Sequence, residues 1–500
     1  MASLSDYEPL TNPAAARREE AASALWSDDG ISADTTRGAD VTPAEPADAG
    51  MARLRAFGRG HALTFAGFFI FTVFVYFRPY ELIPALAGLN TATFWVAFAT
   101  LCLFVPAQLS LENNLTARPS EVNYLLLLCL MALLSIPLAI DPFEAWENFY
   151  GGFLKYALMF VVMVNVVRTE RRLRWMLLLA LAVTCTVSVG VLNDYRLGNL
   201  TIEGYRVKSM IGSMLENPND LAIHLVTMMP LAAVLGLSAR GLAKKVIYGA
   251  VVVLILSALV VTFSRGGFLG MAAAVSVLAW KLGRRNRLLV FGALVAGGLL
   301  FLTFAPGNYW LRLASIIDSS LDPVGSSTSR KEVLWRSIHV ALRHPLLGIG
   351  IGNFHQVSFR ELATHNAYTQ VGAEMGLIAL YFYVRFITVP LRRLRLIERE
   401  TRGERAAARP HYLAVGLQAS LVGYMVSSFF ASVAFYWFVY YLVGYAVCLR
   451  RLYEAEHGPL ESREAEADAA EKASRRVPAW QASRSSSSPT QGAAGRGAAW

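Results

Sequence analysis

Apolar stretches recur along this chain, divided by short polar connections. A helix needs about 20 predominantly apolar residues to cross the hydrocarbon core of a bilayer. Twelve segments approach that length: 62–78, 91–108, 122–140, 150–167, 175–193, 221–238, 246–263, 266–280, 288–305, 366–388, 411–430 and 432–449. The runs are continuous, whereas barrel strands alternate between lipid-facing and lumen-facing residues. Only helices and closed barrels satisfy every backbone polar group inside lipid. The pattern therefore predicts an all-α fold: a polytopic membrane helix bundle of about twelve transmembrane helices over residues 61–452.

Composition agrees, with 55% hydrophobic residues in a chain of 500. Residues 1–60 are rich in Ala, Asp, Glu, Pro and Thr and read as a disordered cytoplasmic tail. No basic-then-apolar signal peptide pattern follows Met1. Residues 453–500, with "SRSSSSPTQGAAGRG", read as a second disordered tail. Cys102, Cys129, Cys185 and Cys448 all fall in apolar runs and are expected to be small buried residues without metal or disulfide spacing.

A net charge of +10 would suit nucleic acid, but its distribution excludes that partner. The Lys and Arg residues gather in "RTERRLR" (168–174), "ARGLAKK" (239–245), "KLGRRNR" (281–287) and the stretch 391–409, at alternate connections. Short basic connections mark the cytoplasmic side. Both termini are then cytoplasmic, and the loop 306–365 is a long periplasmic one.

Arg265, in "VTFSRGGFLG", falls on the outer side, against this bias. It either snorkels to lipid phosphate or pairs within the bundle, or it recognises an anion with its planar fork. Gly266 and Gly267 would permit close approach of a ligand or backbone at a helix N-terminus, where anions are favoured. Arg206 and Lys208 lie in another outward loop, before "NPND", where Asn217 or Asn219 caps a helix begun by Pro218. In the long loop, "SRKE" predicts a capping box of Ser329 and Glu332, followed by an apolar stripe of Leu334, Ile338, Ala341 and Leu342. "GIGIGNF" predicts a tight turn against the membrane, its spacing being wrong for a dinucleotide site. His365 stands where the chain re-enters the membrane, as a helix cap or as a general base. Glu374, a turn inside the next helix, is either functional or paired with an arginine.

Taken together, "GSMLENPNDLA", "SRGGFLG", "HPLLGIGIGNF" and "HNAYTQVGAEMGLIAL" resemble the bacterial O-antigen ligase and polymerase family over residues 200–390. That resemblance implies a GT-C-like, metal-independent membrane glycosyltransferase without a cofactor. It implies a donor glycan on undecaprenyl pyrophosphate at the periplasmic face of the inner membrane. The acceptor would be another lipid-linked glycan or lipid A core, so polymerase and ligase both stand, with polymerisation of O-antigen or exopolysaccharide preferred. It further implies His365 as catalytic base, and Arg206 and Arg265 as pyrophosphate ligands. Because this chain reads Arg-Val-Lys before its Ser-Met-Ile-Gly-Ser run, either Arg206 or Lys208 meets the phosphate. Glu374, Asn366 and Gly266 would support the site. Membrane lipids, a flippase and a chain-length regulator are the expected partners. A bicarbonate or small-solute transporter is the competing class, and would carry its polar residues near the bilayer midplane.

Overall fold

The computed structural model describes residues 60–82, 91–200, 206–207, 215–283, 326–403 and 408–460, with 58, 86, 88, 288, 292, 462 and 463 in isolation. Most of both expected tails, Lys208 and almost all of the segment 288–305 lie outside the described residues, whereas residues 453–457, expected to open the second tail, continue the helix Trp437–His457.

The described chain is helical. The principal helices are α1 (Ala62–Phe77), α2 (Ala92–Glu112), α3 (Ser120–Ser135), α4 (Pro142–Asn148), α5 (Leu154–Val166), α6 (Glu170–Arg196) and α7 (Pro218–Ser238). They continue with α8 (Leu242–Val261), α9 (Arg265–Leu282), α10 (Ser326–Arg343), α11 (Ala367–Glu400), α12 (Ala408–Ser427) and α13 (Trp437–His457). A π-helical turn, Phe149–Phe153, joins α4 to α5. Eight of the helical stretches are long and apolar enough to cross a membrane, and α1 is a shorter apolar helix. Helices thus stand at eleven of the twelve expected segments, and the twelfth lies outside the described residues.

Sequence chemistry sets the helix ends. Asn217 caps α7 by accepting the Asn219 N–H at 2.9 Å, with Pro218 in the first turn, where its missing N–H costs nothing. Ser264 caps α9 by accepting the Gly267 N–H at 3.2 Å. In the interior, α7, α9 and α12 pack closely because small residues face each other. A Cβ on Gly270 of α9 would stand 1.7 Å from Ser427 Oγ, and one on Gly423 of α12 would stand 3.1 Å from the Ala274 Cβ. Membrane helices associate largely through such close backbone approach, since lipid supplies no hydrophobic drive between them.

The two ends of the bundle differ. Where α2, α5, α9 and α11 finish and α3 begins, buried ion pairs tie the helices together. Glu121 meets Arg393 and Arg450, each at 3.2 Å, Arg168 meets Glu112 at 2.7 Å, and Lys281 meets Glu398. The basic stretches 168–174, 239–245 and 391–403 lie at this same end. At the opposite end, α7, α9, α11 and α13 begin, and α10 packs on α11.

Three local expectations are corrected. Helix α10 begins at Ser326, so Ser329 is not its cap; residue 329 lies within the first turn and Glu332 is exposed. The buried stripe of α10 is Val333, Ser337 and Ala341, while Leu342 points outward at 64% exposure. Of the four cysteines only Cys448 is fully buried; Cys102 is exposed, and Cys129 and Cys185 are partly buried, Cys129 packing against the core.

Candidate functional site

The turn "GIGIG" docks against α11 rather than against the membrane alone. Gly348, Gly350 and Gly352 have φ of 66°, 101° and 82°, values that side chains disfavour. Their backbone reaches α11 and takes its carbonyls: Ile349 N–H donates to Ala373 O at 3.0 Å, and Gly350 N–H to Glu374 O at 2.9 Å. Helix α11 is broken there, at Gly376 with φ 88°, and the Leu377 N–H donates back to Pro345 O at 2.7 Å. The buried Glu374 side chain accepts the Gly352 N–H at 2.9 Å. Among the described bonds its carboxylate meets backbone, not an arginine. This interlock fixes the short first section of α11 and the residues before it.

Those residues are Thr364, His365 and Asn366. His365 holds φ 50°, left-handed backbone uncommon for a non-glycine residue. Its N–H donates to Ser432 Oγ at 2.7 Å, and Ser432 Oγ also bonds Thr364 Oγ1 at 2.9 Å. Asn366 caps α11, its Oδ1 accepting from Tyr368 N at 2.9 Å and Thr369 N at 3.1 Å. Its buried Nδ2 has no hydrogen-bond partner among the described residues.

Arg265 and His365, 100 residues apart in the chain, line one cavity of about 210 Å³. Arg330 and Lys331 from α10, Asn366, and Phe429 and Phe430 after α12 complete most of its wall. Three cationic side chains and an imidazole therefore face a largely apolar chamber at one end of the bundle. Burial, and then the Arg330 guanidinium, push the His365 imidazole down to about 4, so its ring is neutral at ordinary pH. A neutral imidazole can accept a proton, and guanidinium groups bind phosphate oxygens in a two-pronged fork.

The remaining sequence candidates fall around this chamber. Arg206 is buried and is not part of the cavity wall. Its Nε donates to Thr262 O at 2.9 Å, and a terminal nitrogen donates to Asn219 Oδ1 at 2.8 Å, which ties its loop to the turn preceding Arg265 and to the cap of α7. The glycines after Arg265 admit protein rather than ligand: a Cβ on Gly266 would lie 2.7 Å from Phe430 Cβ, and one on Gly267 2.6 Å from Ala222 Cβ. His224 is a packed core residue, bonded to Thr184 Oγ1 at 3.0 Å. Among the described residues, no three His, Cys, Asp or Glu side chains gather where they could hold a metal ion.

Sequence reasoning missed Arg330, Lys331 and Ser432. Arg330 and Lys331 were hidden inside the apparent capping box, although a basic pair in an outward loop runs against the charge bias as Arg265 does. Ser432 carries no local signal, because its partners lie 67 and 68 residues upstream.

Residues 250–384 match the family described as O-antigen ligase. That span runs from within α8 into α11 and contains Arg265, Arg330, Lys331, His365 and Asn366. No curated protein matches the chain. The apolar helices make the chain an integral membrane protein, and over residues 250–384 it is similar to the O-antigen ligase family.

Proposed function

We propose that this chain, a member of the O-antigen ligase family through residues 250–384, transfers glycan from undecaprenyl pyrophosphate at the periplasmic face of the bacterial inner membrane. Polymerisation of O-antigen or exopolysaccharide repeat units is the preferred reading. Ligation to lipid A core is the second, favoured by the family's description. The observation that carries the proposal is the meeting of Arg265 and His365 in one cavity with two further cations.

The donor pyrophosphate lies against Arg265, Arg330 and Lys331, with the Asn366 amide as an additional donor. As the bond from the anomeric carbon to the pyrophosphate oxygen breaks, negative charge develops there. Preorganised donors in a partly desolvated chamber stabilise that charge more than water does. The acceptor hydroxyl attacks from the side away from the leaving group, which inverts the anomeric centre. His365 takes the hydroxyl proton, and undecaprenyl pyrophosphate departs. Arg206 acts on the same site by holding the turn that presents Arg265, and Lys208 adds charge from the same loop. Glu374 and Gly266 support the site through the docked glycine turn and through close packing. The basic connections at the other end of the bundle support a periplasmic site by the positive-inside rule. Transport fits less well, because these polar groups cluster at a bundle end rather than the midplane.

Purified protein would be given undecaprenyl-pyrophosphate-linked repeat units, alone and with lipopolysaccharide lacking O-glycan. Lipid-linked chains growing in the first mixture establish a polymerase. Product only in the second establishes a ligase. Absence of transfer in both, with folded protein, overturns the reading.

A further inference from the structure

A second cavity, of about 350 Å³, adjoins the first at the same end of the bundle. Thr364 lines both. Thr364, bonded to Ser432 Oγ at 2.9 Å, borders both cavities, while His365 and Asn366 line the first and Ala363 and Ser432 the second. The volume falls in the ~300–1,000 Å³ range of ligand pockets.

The two chambers differ in chemistry. Arg265, Arg330 and Lys331 line the first, whereas among the described residues no Lys or Arg lines the second. Instead its wall carries Glu374, Gln370, Asn148, Tyr156 and Tyr436. Glu374 is 4% exposed and accepts the backbone N–H groups of Gly352 and Phe354. A carboxylate has about four lone-pair sites, so it retains capacity for a hydroxyl donor. Gln370 spends its carbonyl on the Ala434 N–H at 3.3 Å, which leaves its NH2 as a donor. The tyrosines add ring faces whose negative quadrupole suits C–H edges. A wall of this kind is made for a neutral polyhydroxyl ligand, not a pyrophosphate.

We propose that this second cavity seats the hydroxyl-bearing sugar of the acceptor, held by Glu374, Gln370 and the tyrosines. The inference rests on the transferase reading above. Donor and acceptor then occupy adjoining cavities that meet at Thr364. The acceptor hydroxyl extends past Thr364, which borders both cavities, into the His365 cavity and meets the anomeric carbon on the side away from the leaving group. The shared chemistry is a free sugar hydroxyl, whether its carrier is lipid A core or a second lipid-linked repeat.

The test uses the full-length protein, undecaprenyl-pyrophosphate-linked repeat units as donor, and each acceptor in turn. Gly152→Leu plugs the cavity. Residue 152 lines it, and a Cβ there meets only the Tyr156 ring, at 3.9 Å. Glu374→Gln keeps an oxygen for the Gly352 N–H but replaces the other with an NH2 that cannot accept from a sugar hydroxyl. Both variants should raise the KM for the productive acceptor about tenfold or more and leave the donor KM within twofold, at an unchanged melting temperature. The acceptor that shows the shift identifies the carrier. Should Gly152→Leu fail to fold, Glu374→Gln alone decides. A rise in donor KM without a rise in acceptor KM would overturn the assignment, as would unchanged constants in folded variants. A wild-type protein inert with both acceptors would instead remove the transferase reading, and this subsite with it.

Discussion

Ser432→Ala isolates the positioning of His365. The Ser432 hydroxyl accepts the His365 N–H at 2.7 Å and bonds Thr364 Oγ1 at 2.9 Å. Those bonds hold His365 at φ 50°, a conformation that costs a non-glycine residue about 1–3 kcal/mol and persists only where its surroundings enforce it. Removing the hydroxyl leaves a half-buried N–H without its acceptor, a loss of about 1–3 kcal/mol. If that loss falls on ring placement, the productive conformer becomes roughly 5–150-fold rarer, since about 1.4 kcal/mol is a factor of ten. The expected outcome is a fall in kcat of that size with the donor KM unchanged, because the cationic wall is untouched. Ser432→Thr, which keeps the oxygen, should recover most of the rate. The assay is steady-state transfer by purified protein, with melting temperature followed in parallel. An Ala variant within twofold of wild-type kcat would refute the reasoning, and so would a loss expressed only as a higher donor KM.

The pH dependence has a defined direction. The His365 imidazole is held down to about 4 by burial and then by Arg330, so its base form is lost only as pH falls through that value. Arg330→Gln removes the second cause, and the acid limb of the kcat profile should move up toward the ordinary value of about 6.5. A limb that stays in place or moves down would discount the contact. Topology is checked by cysteines at two exposed positions, Asn199 and Arg240, with the four native cysteines replaced by serine. An impermeant thiol reagent outside spheroplasts should label position 199 and spare 240; the reverse pattern would put the site in the cytoplasm.

What could be read from the sequence was what local chemistry decides. Continuous apolar runs predicted helices because lipid allows little else. Asn217 and Pro218 announced the start of α7 through a bond spanning two residues. Arg265 and His365 stood out because the charge bias placed both on one side, and both line the same chamber. Long-range backbone contacts were not legible. The break in α11 at Gly376 exists because the N–H groups of Ile349 and Gly350 take the carbonyls of Ala373 and Glu374. "SRKE" satisfied a local capping rule, yet the helix continues back to Ser326, and its basic pair turns to the cavity. Arg206 was singled out by its loop, but its partners, Thr262 O and Asn219, lie 56 and 13 residues further along the chain, beyond the reach of a local pattern.

The central claim is that Arg265 holds the donor pyrophosphate while His365 takes the acceptor proton. It is tested most directly by measuring donor binding and turnover separately on Arg265→Ala and His365→Ala. Purified protein, undecaprenyl-pyrophosphate-linked glycan and an acceptor are required. Arg265→Ala should lose donor affinity, and Arg265→Lys should restore it only in part, because a point charge lacks the bidentate fork. His365→Ala should bind donor as wild type does and lose about 10²–10⁴-fold in turnover, the usual contribution of a positioned base. Near-full turnover by His365→Ala, or normal donor binding by Arg265→Ala, would contradict the account.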